Sequence, residues 1–266
     1  GLRINPETNI SSRVTYYKGM AIQKVGDKDQ MAISGMPENP RLANFNWSPD
    51  EKHMAFTNTT TNGVELWVVE IKSAKAKKLT ADNLNANIGK PMVWKPSSNG
   101  LIVKVLPSDK KPLIDKSKAI PTGPIISENE GEKAQNRTYQ DLLKNKNDEH
   151  NFEQLATSEI YKVSLDGSSE KWLGADLYRE LTFSPDGNYV MVVTINQPFS
   201  YLVPYGRFPS KTKIYTKEGA EVETVLDVPL IEDLPQGFMA VRKGKRNFSW
   251  RNDKSSTLTY VMALDE

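Results

Sequence analysis

Residues 183–194 read FSPDGNYVMVVT: an aromatic residue, a four-residue turn signal, then an apolar run rich in β-branched side chains. Proline presets the backbone angle of a tight turn, Asp and Gly tolerate its remaining positions, and the apolar run returns as a strand. The stretch therefore predicts a hairpin. Looser copies occur as ANFNWSPDEKHMAFTN around Trp47, PMVWKPSSNGLIVKVL around Trp94 and KRNFSWRNDKSSTLTYVMAL around Trp250. In each copy the aromatic stands at the end of the incoming strand, where a large apolar side chain can seal one hairpin layer against the next. Trp47, Trp94 and Trp250 are accordingly expected in the core, in preference to an exposed stacking platform for sugars or bases.

A second hairpin follows the first in VELWVVEIKSAKAKKLTA (64–81), SEIYKVSLDGSSEKWLG (158–174) and TKIYTKEGAEVETVL (212–226). The last two turn at LDG and KEG, where glycine supplies the positive backbone angle of a tight hairpin. The basic run KSAKAKK at 72–78 is read as a solvated hairpin turn, and residues 12–36 as one further hairpin. Two hairpins in alternation make a four-stranded unit, and repeated units of this kind are the signature of a β-propeller. A β-sandwich or a stack of unrelated hairpins is the simpler rival.

Spacing separates the readings. Trp47 to Trp94 spans 47 residues, close to the roughly 40–50 of common blades, whereas Trp94 to Phe183 spans 89 and Phe183 to Trp250 spans 67. Residues 107–157 carry no copy of the aromatic-turn-strand pattern; they open Pro-rich and then place Tyr139, Leu142, Leu143, Phe152 and Leu155 among charges. That composition predicts a loop followed by one or two short amphipathic helices. A smaller excess lies in NQPFSYLVPYGRFPS and in DVPLIEDLPQGFMAVRKGKR, and loops of such length in a compact domain are uncommon without a function. The units expected are a partial one at about 12–36, fuller ones at about 43–81, 91–174 and 179–226, and one beginning at 245 that stops after two strands. The fold class is thus all-β, a partial propeller of about four four-stranded antiparallel blades with a loop-plus-helix insertion, ending mid-blade.

Totals remove several function classes. Among 266 residues, 35 Lys and Arg against 33 Asp and Glu leave a formal charge of +2, too balanced for phosphate-dominated nucleic-acid binding. Cysteine is absent, which excludes disulfides, thiolate nucleophiles and cysteine metal sites. No run approaches the roughly 18 apolar residues of a spanning helix. The chain opens Gly-Leu without Met, and an exported protein whose signal peptide has been removed is expected.

The runs NRTYQDLLKN, NDEHNFEQLATS, PFSYLVPYGRFPSK and VRKGKRNFSWRNDKSSTL, with the opening LRINPETNISSRVTYYKGMAIQKV, are spread along almost the whole chain. They resemble the N-terminal propeller of glutamyl endopeptidases of the prolyl oligopeptidase family. The resemblance implies a parent in which a propeller of about seven blades caps an α/β-hydrolase domain that cuts peptides after glutamate. On that reading residues 1–266 are an incomplete propeller domain, and the hydrolase domain of the same chain and the peptide substrate are its partners. The location implied is periplasmic or secreted.

Departures from the family plan matter as much. No G-x-S-x-G nucleophile elbow occurs, and the only histidines are His53 and His150. A serine peptidase needs nucleophile, base and oxyanion hole together, so this polypeptide is expected to be catalytically inert, with no catalytic residue, metal or cofactor. Its role would be to control substrate access and to help recognise acidic residues. The rival is a self-standing periplasmic propeller that binds or scaffolds a partner; a propeller lyase acting on acidic sugars would need a His and Arg constellation that is not found. A glutamate-selecting pocket calls for a cation, best a forked guanidinium, and the candidates are Arg137, then Arg207, then Arg242 and Arg246. The simpler alternative pairs Arg137 with Asp141 or Glu153 to hold the inserted helix. Asp148, Glu149, His150 and Glu153 could be drawn as a metal site or a holder of a substrate N-terminus, but lack the spacing of known metal motifs, and a solvated helix face is the default. An unclosed propeller also exposes blade edges, which predicts homo-oligomers.

Overall fold

The computed structural model describes residues 3–115, 117–118, 139–232 and 242–263. Two short hairpins come first, β1 (Ile4–Asn5) with β2 (Ile10–Ser11) and β3 (Ala21–Ile22) with β4 (Met31–Ala32). Three four-stranded antiparallel sheets follow. The first comprises β5 (Leu42–Trp47), β6 (His53–Thr59), β7 (Val64–Glu70) and β8 (Lys75–Lys78) in sequential order. The second comprises β9 (Met92–Trp94), β10 (Gly100–Val105), β11 (Ser158–Ser164) and β12 (Ser169–Asp176), with helix α1 (Lys146–Ala156) inserted between its middle strands. The third comprises β13 (Tyr178–Phe183), β14 (Tyr189–Ile195), β15 (Ser210–Thr216) and β16 (Glu221–Val228), and a final hairpin pairs β17 (Arg246–Trp250) with β18 (Leu258–Val261). These are the blades expected from the sequence, each a simple meander, and they do not close into a ring.

The first three copies of the aromatic-turn pattern share one geometry. The residue after the aromatic donates its N–H across the hairpin, Ser48 to the His53 carbonyl, Lys95 to Gly100 and Ser184 to Tyr189, all at 2.9 Å. Three residues further on the backbone turns left-handed, at Glu51 (φ 59°), Ser98 (φ 58°) and Gly187 (φ 71°). Only the third copy places glycine where that angle is free of strain. In the SPD copies the serine hydroxyl also bridges turn and strand, since Ser48 Oγ and Ser184 Oγ each donate to the Asp two residues on, at 2.7 and 2.6 Å.

The same motif joins one blade to the next. Trp94 Nε1 donates to the Asn46 carbonyl at 2.9 Å, and Trp250 Nε1 to the Thr182 carbonyl at 3.1 Å. In both pairs the acceptor is the residue just before the preceding blade's own aromatic. Phe183 has no N–H, so the seam between the second and third blades carries no such bond. The tips meet as well: Asp50 N–H reaches Ser98 Oγ, and Asp186 N–H reaches the Ser255 carbonyl, both at 3.1 Å.

Core packing alternates along the strands. Leu101, Val103 and Val105 of β10 join Leu66, Val68 and Trp94 between the first and second blades, while Ile102 faces Tyr178, Leu181 and Val190 of the third. Trp94 is buried as expected, at 5% exposure, but Trp47 is 51% exposed, which corrects the expectation of a core position. Among the described residues no preceding blade offers Trp47 the carbonyl that Trp94 and Trp250 use; the β3–β4 hairpin packs its Ile22 and Ile33 with Leu42, Phe56 and Val69 instead. A second correction concerns the run 72–78, where residues 75–78 are the edge strand β8 and Lys78 pairs with Glu65 at 3.2 Å.

Candidate functional site

A four-stranded meander puts its connections alternately at its two ends. The aromatic turns at 48–52, 95–99 and 184–188 lie at one end. The described parts of the long segments 106–157 and 196–209, and of the links 79–91 and 229–245 that feed the next blade, all fall at the other. The insertions that the repeat spacing exposed therefore share one face of the blade stack.

That face has a core of its own. Asn145 caps α1, its side chain accepting from the Asp148 N–H at 3.0 Å, and Thr157 closes it, Thr157 Oγ1 donating to the Glu153 carbonyl at 2.7 Å. One side of the helix buries Asp148, Phe152 and Ala156, spaced four apart. Phe152 meets Phe199 and Phe208 edge to face, at 5.0 and 5.6 Å between ring centres, so the helix is clamped on the second long loop. Tyr139 and Leu143, expected within the amphipathic run, join this cluster from the segment before the cap.

The acidic residues of α1 hold the loops together. Tyr201 Oη donates to Glu149 at 2.6 Å, and burial together with that bond pushes the phenol up to about 12. Gln197 reaches Glu153 at 3.2 Å, and His150 Nε2 lies 3.0 Å from the Pro112 carbonyl. Asp141 pairs with Arg3.

Of the four candidate arginines, Arg137 lies outside the described residues. Arg207 ends a short 3-10 turn, Tyr205–Arg207, with its guanidinium 5.2 Å from the Tyr139 ring centre, a cation–π contact, and among the described residues its guanidinium makes no hydrogen bond. Arg242 folds onto its own loop, donating to the Lys243 carbonyl at 2.8 Å and to the Lys245 carbonyl. Arg246 opens β17, and its Nη1 is buried without a hydrogen-bond partner. Arg207, Arg242 and Arg246 thus share the loop-bearing end but are not joined to one another by any hydrogen bond.

A cavity of about 430 Å³ lies beside this end. Its wall takes Asn46, Val93 and Thr182 from the first strands of three successive blades, and Tyr205 from the overhanging turn. First strands converge toward the axis of the stack, so this is the axial wall. Two cations line it, Lys90 and Arg179, with one carboxylate, Glu180, and among the described residues none of the three forms an ion pair. Thr182 Oγ1 is buried and has no hydrogen-bond partner. Behind the wall Lys104, 2% exposed, donates from Nζ to the carbonyls of Ile88 and Tyr178, and burial pushes its ammonium down to about 7. Gly89 is required here: it is left-handed (φ +60°), and a Cβ would come within 2.2 Å of the Arg179 carbonyl. Sequence reasoning missed Lys90 and Arg179 because one sits in a linker and the other in an ordinary-looking strand; a lone cation in the first strand of a blade was the signal that could have found Arg179, and Lys90 carries no such signal.

No family model matches the chain. It is 34% identical over its whole length to a protein of Oryza sativa subsp. japonica named "Probable glutamyl endopeptidase, chloroplastic", and 35% identical over 97% of its length to the Arabidopsis thaliana protein of the same name. It spans only 29% and 28% of those two relatives. Among solved structures, the β-propeller domain of the Trilobed protease from Pyrococcus furiosus is 13% identical, with a TM-score of 0.40 over 71% of this chain and 43% of that one. Among the described residues no helix is long and apolar enough to cross a membrane. The names place the relatives in chloroplasts, where the sequence reading expected an exported bacterial protein. Its described residues form propeller-type blades, and along its length this chain is similar to one segment of the proteins named glutamyl endopeptidase.

Proposed function

We propose that this chain is the non-catalytic propeller segment of a serine endopeptidase, and that it controls access of peptides to chemistry carried elsewhere in the protein. The single observation behind this reading is similarity that runs the length of the chain yet spans less than a third of each relative. The absence of a nucleophile elbow from the sequence agrees with it. Long loops gathered at one end of the blade stack suit a face that meets a second domain and the incoming peptide, the α/β-hydrolase domain being the partner expected.

Recognition of glutamate at that face falls to Arg207, whose guanidinium makes no hydrogen bond among the described residues, with Arg137, Arg242 and Arg246 as the other candidates. An exported location remains part of this reading, with a plastid location as its rival; fractionation of the source cells decides between them. The main test is hydrolysis of glutamyl peptides by the longer protein, with this polypeptide alone as control. Cleavage after glutamate by the longer protein and none by residues 1–266 is the expected result. Hydrolysis by residues 1–266 alone, or no peptidase activity in the longer protein, overturns it and favours the binding or scaffolding module.

A further inference from the structure

We infer that the cavity on the axial wall is a carboxylate-binding site, built by Arg179, Lys90 and Thr182, that takes the glutamyl side chain of a peptide passing along the blade axis. The choice of a peptide rests on the function proposed above; the choice of a carboxylate rests on the cavity.

Three independent features converge there. The first is unspent positive charge. Arg179 and Lys90 both line the cavity, neither is paired with an acid among the described residues, and the single carboxylate beside them, Glu180, leaves the wall net positive. Two unpaired cations lining one recess favour an anion within it, and a guanidinium offers a carboxylate two parallel N–H donors. The second is an orphan. Thr182 Oγ1 is buried in that wall with no partner, and a buried hydroxyl left unmatched is costly. Its main-chain carbonyl is already engaged by the Trp250 indole at 3.1 Å, which holds the backbone in place; the hydroxyl, shut off from solvent, reaches a ligand once its side chain rotates toward the cavity. The third is fixed framing. Gly89 presses on the Arg179 carbonyl, and buried Lys104 ties the Ile88 and Tyr178 carbonyls, so the segments carrying Lys90 and Arg179 are held together from behind. Apolar wall from Ile88 and Val93 is matched to the methylenes of a glutamyl side chain rather than to a bare ion. The site is separate from the four loop arginines, although Tyr205 brings the Arg207 turn to its rim.

The probes are three capped tripeptides: acetyl-Ala-Glu-Ala-amide carries an internal carboxylate, acetyl-Ala-Gln-Ala with a free C-terminus carries only a terminal one, and acetyl-Ala-Gln-Ala-amide carries none. Binding to the whole chain is measured by calorimetry at low salt. The glutamyl probe is expected to bind at least about tenfold more tightly than either glutamine probe, and to weaken with added salt. Arg179→Gln should remove that preference, and Lys90→Gln and Thr182→Val should each reduce it several-fold; Arg179 and Lys90 are exposed and make no hydrogen bond that the fold depends on. Equal binding of the glutamyl and amide-capped glutamine probes, tighter binding of the free C-terminus, or a preference unchanged in Arg179→Gln overturns the assignment. If the longer protein cleaves after glutamate and its Arg179→Gln variant does so with unaltered preference, this inference fails while the proposed function stands. A glutamyl preference in this chain that Arg179→Gln abolishes, beside a longer protein without peptidase activity, upholds the carboxylate site while the proposed function fails.

Discussion

Glu51 and Gly187 occupy the same position in two copies of one turn, with φ of 59° and 71°. A side chain in that region costs about 1 kcal/mol, against a smaller entropic cost for glycine. Glu51→Gly is therefore expected to raise stability by roughly 0.5–1 kcal/mol, read from the urea midpoint; a lower midpoint would mean that Glu51 makes a contact worth more than the strain. Lys104 yields a prediction of different form. Its folded-state value of about 7 lies below the ordinary 10.5 because burial penalises the charge. Below about pH 7 both states hold the proton and the penalty is complete. Between 7 and 10.5 the unfolded chain keeps a proton that the folded chain has released, so wild-type stability rises with pH across that window. Relative to Lys104→Met, the wild type should gain more than about 1 kcal/mol between pH 6 and pH 10; a constant difference would show that the lysine stays charged. The turns were legible residue by residue, since Pro, Asp and Gly act through local backbone angles. Lys104 was not, because its burial depends on which face of β10 meets the next blade.

At the scale of elements, α1 is held less by its own propensity than by one ring. Phe152 inserts between Phe199, Tyr205 and Phe208, joining two insertions some fifty residues apart in sequence. Phe152→Ala should cost about 3–5 kcal/mol if the chain unfolds as one unit. A smaller loss of about 1 kcal/mol, with protease cutting confined to residues 139–157, would instead mean that the helix and its loop unfold separately from the blades. Most strands of the three four-stranded sheets could be placed from sequence, because each blade repeats a periodic pattern between turn signals; β8 was hidden in a lysine run that reads as a turn, and the short β1–β2 hairpin carries no such pattern. The axial cavity could not be placed. It is assembled from Lys90 in the link before β9 and from Arg179 and Thr182 of β13, and only the packing of neighbouring blades brings that link and that strand together.

For the whole molecule, the decisive feature is that the blades do not close. Tyr17, Phe45 and Trp47 are exposed on the first blade, and Tyr260, Val261 and Met262 on the last hairpin. A second copy could continue the stack in the same order, Trp47 donating to the Ser249 carbonyl just as Trp250 donates to that of Thr182. Self-association of this kind is expected to rise with concentration in light scattering and to fall in Trp47→Ser. A monomer at all concentrations, or association indifferent to Trp47, counts against it. What the sequence offered here was the number of blades, which is a matter of counting; which flank remained bare depended on the order in which sheets face one another.

The unequal tryptophans also make the molecule its own optical gauge. Trp94 and Trp172 are buried, at 5% and 8% exposure, whereas Trp47 stands half in water at 51%. Emission from Trp47 is therefore already red-shifted in the folded chain and blind to unfolding, while Trp94 reports on the first seam and Trp250 on the last. The seam between the second and third blades has its own reporter in Trp172, whose ring meets Tyr215 of the third blade edge to face at 6.2 Å between ring centres.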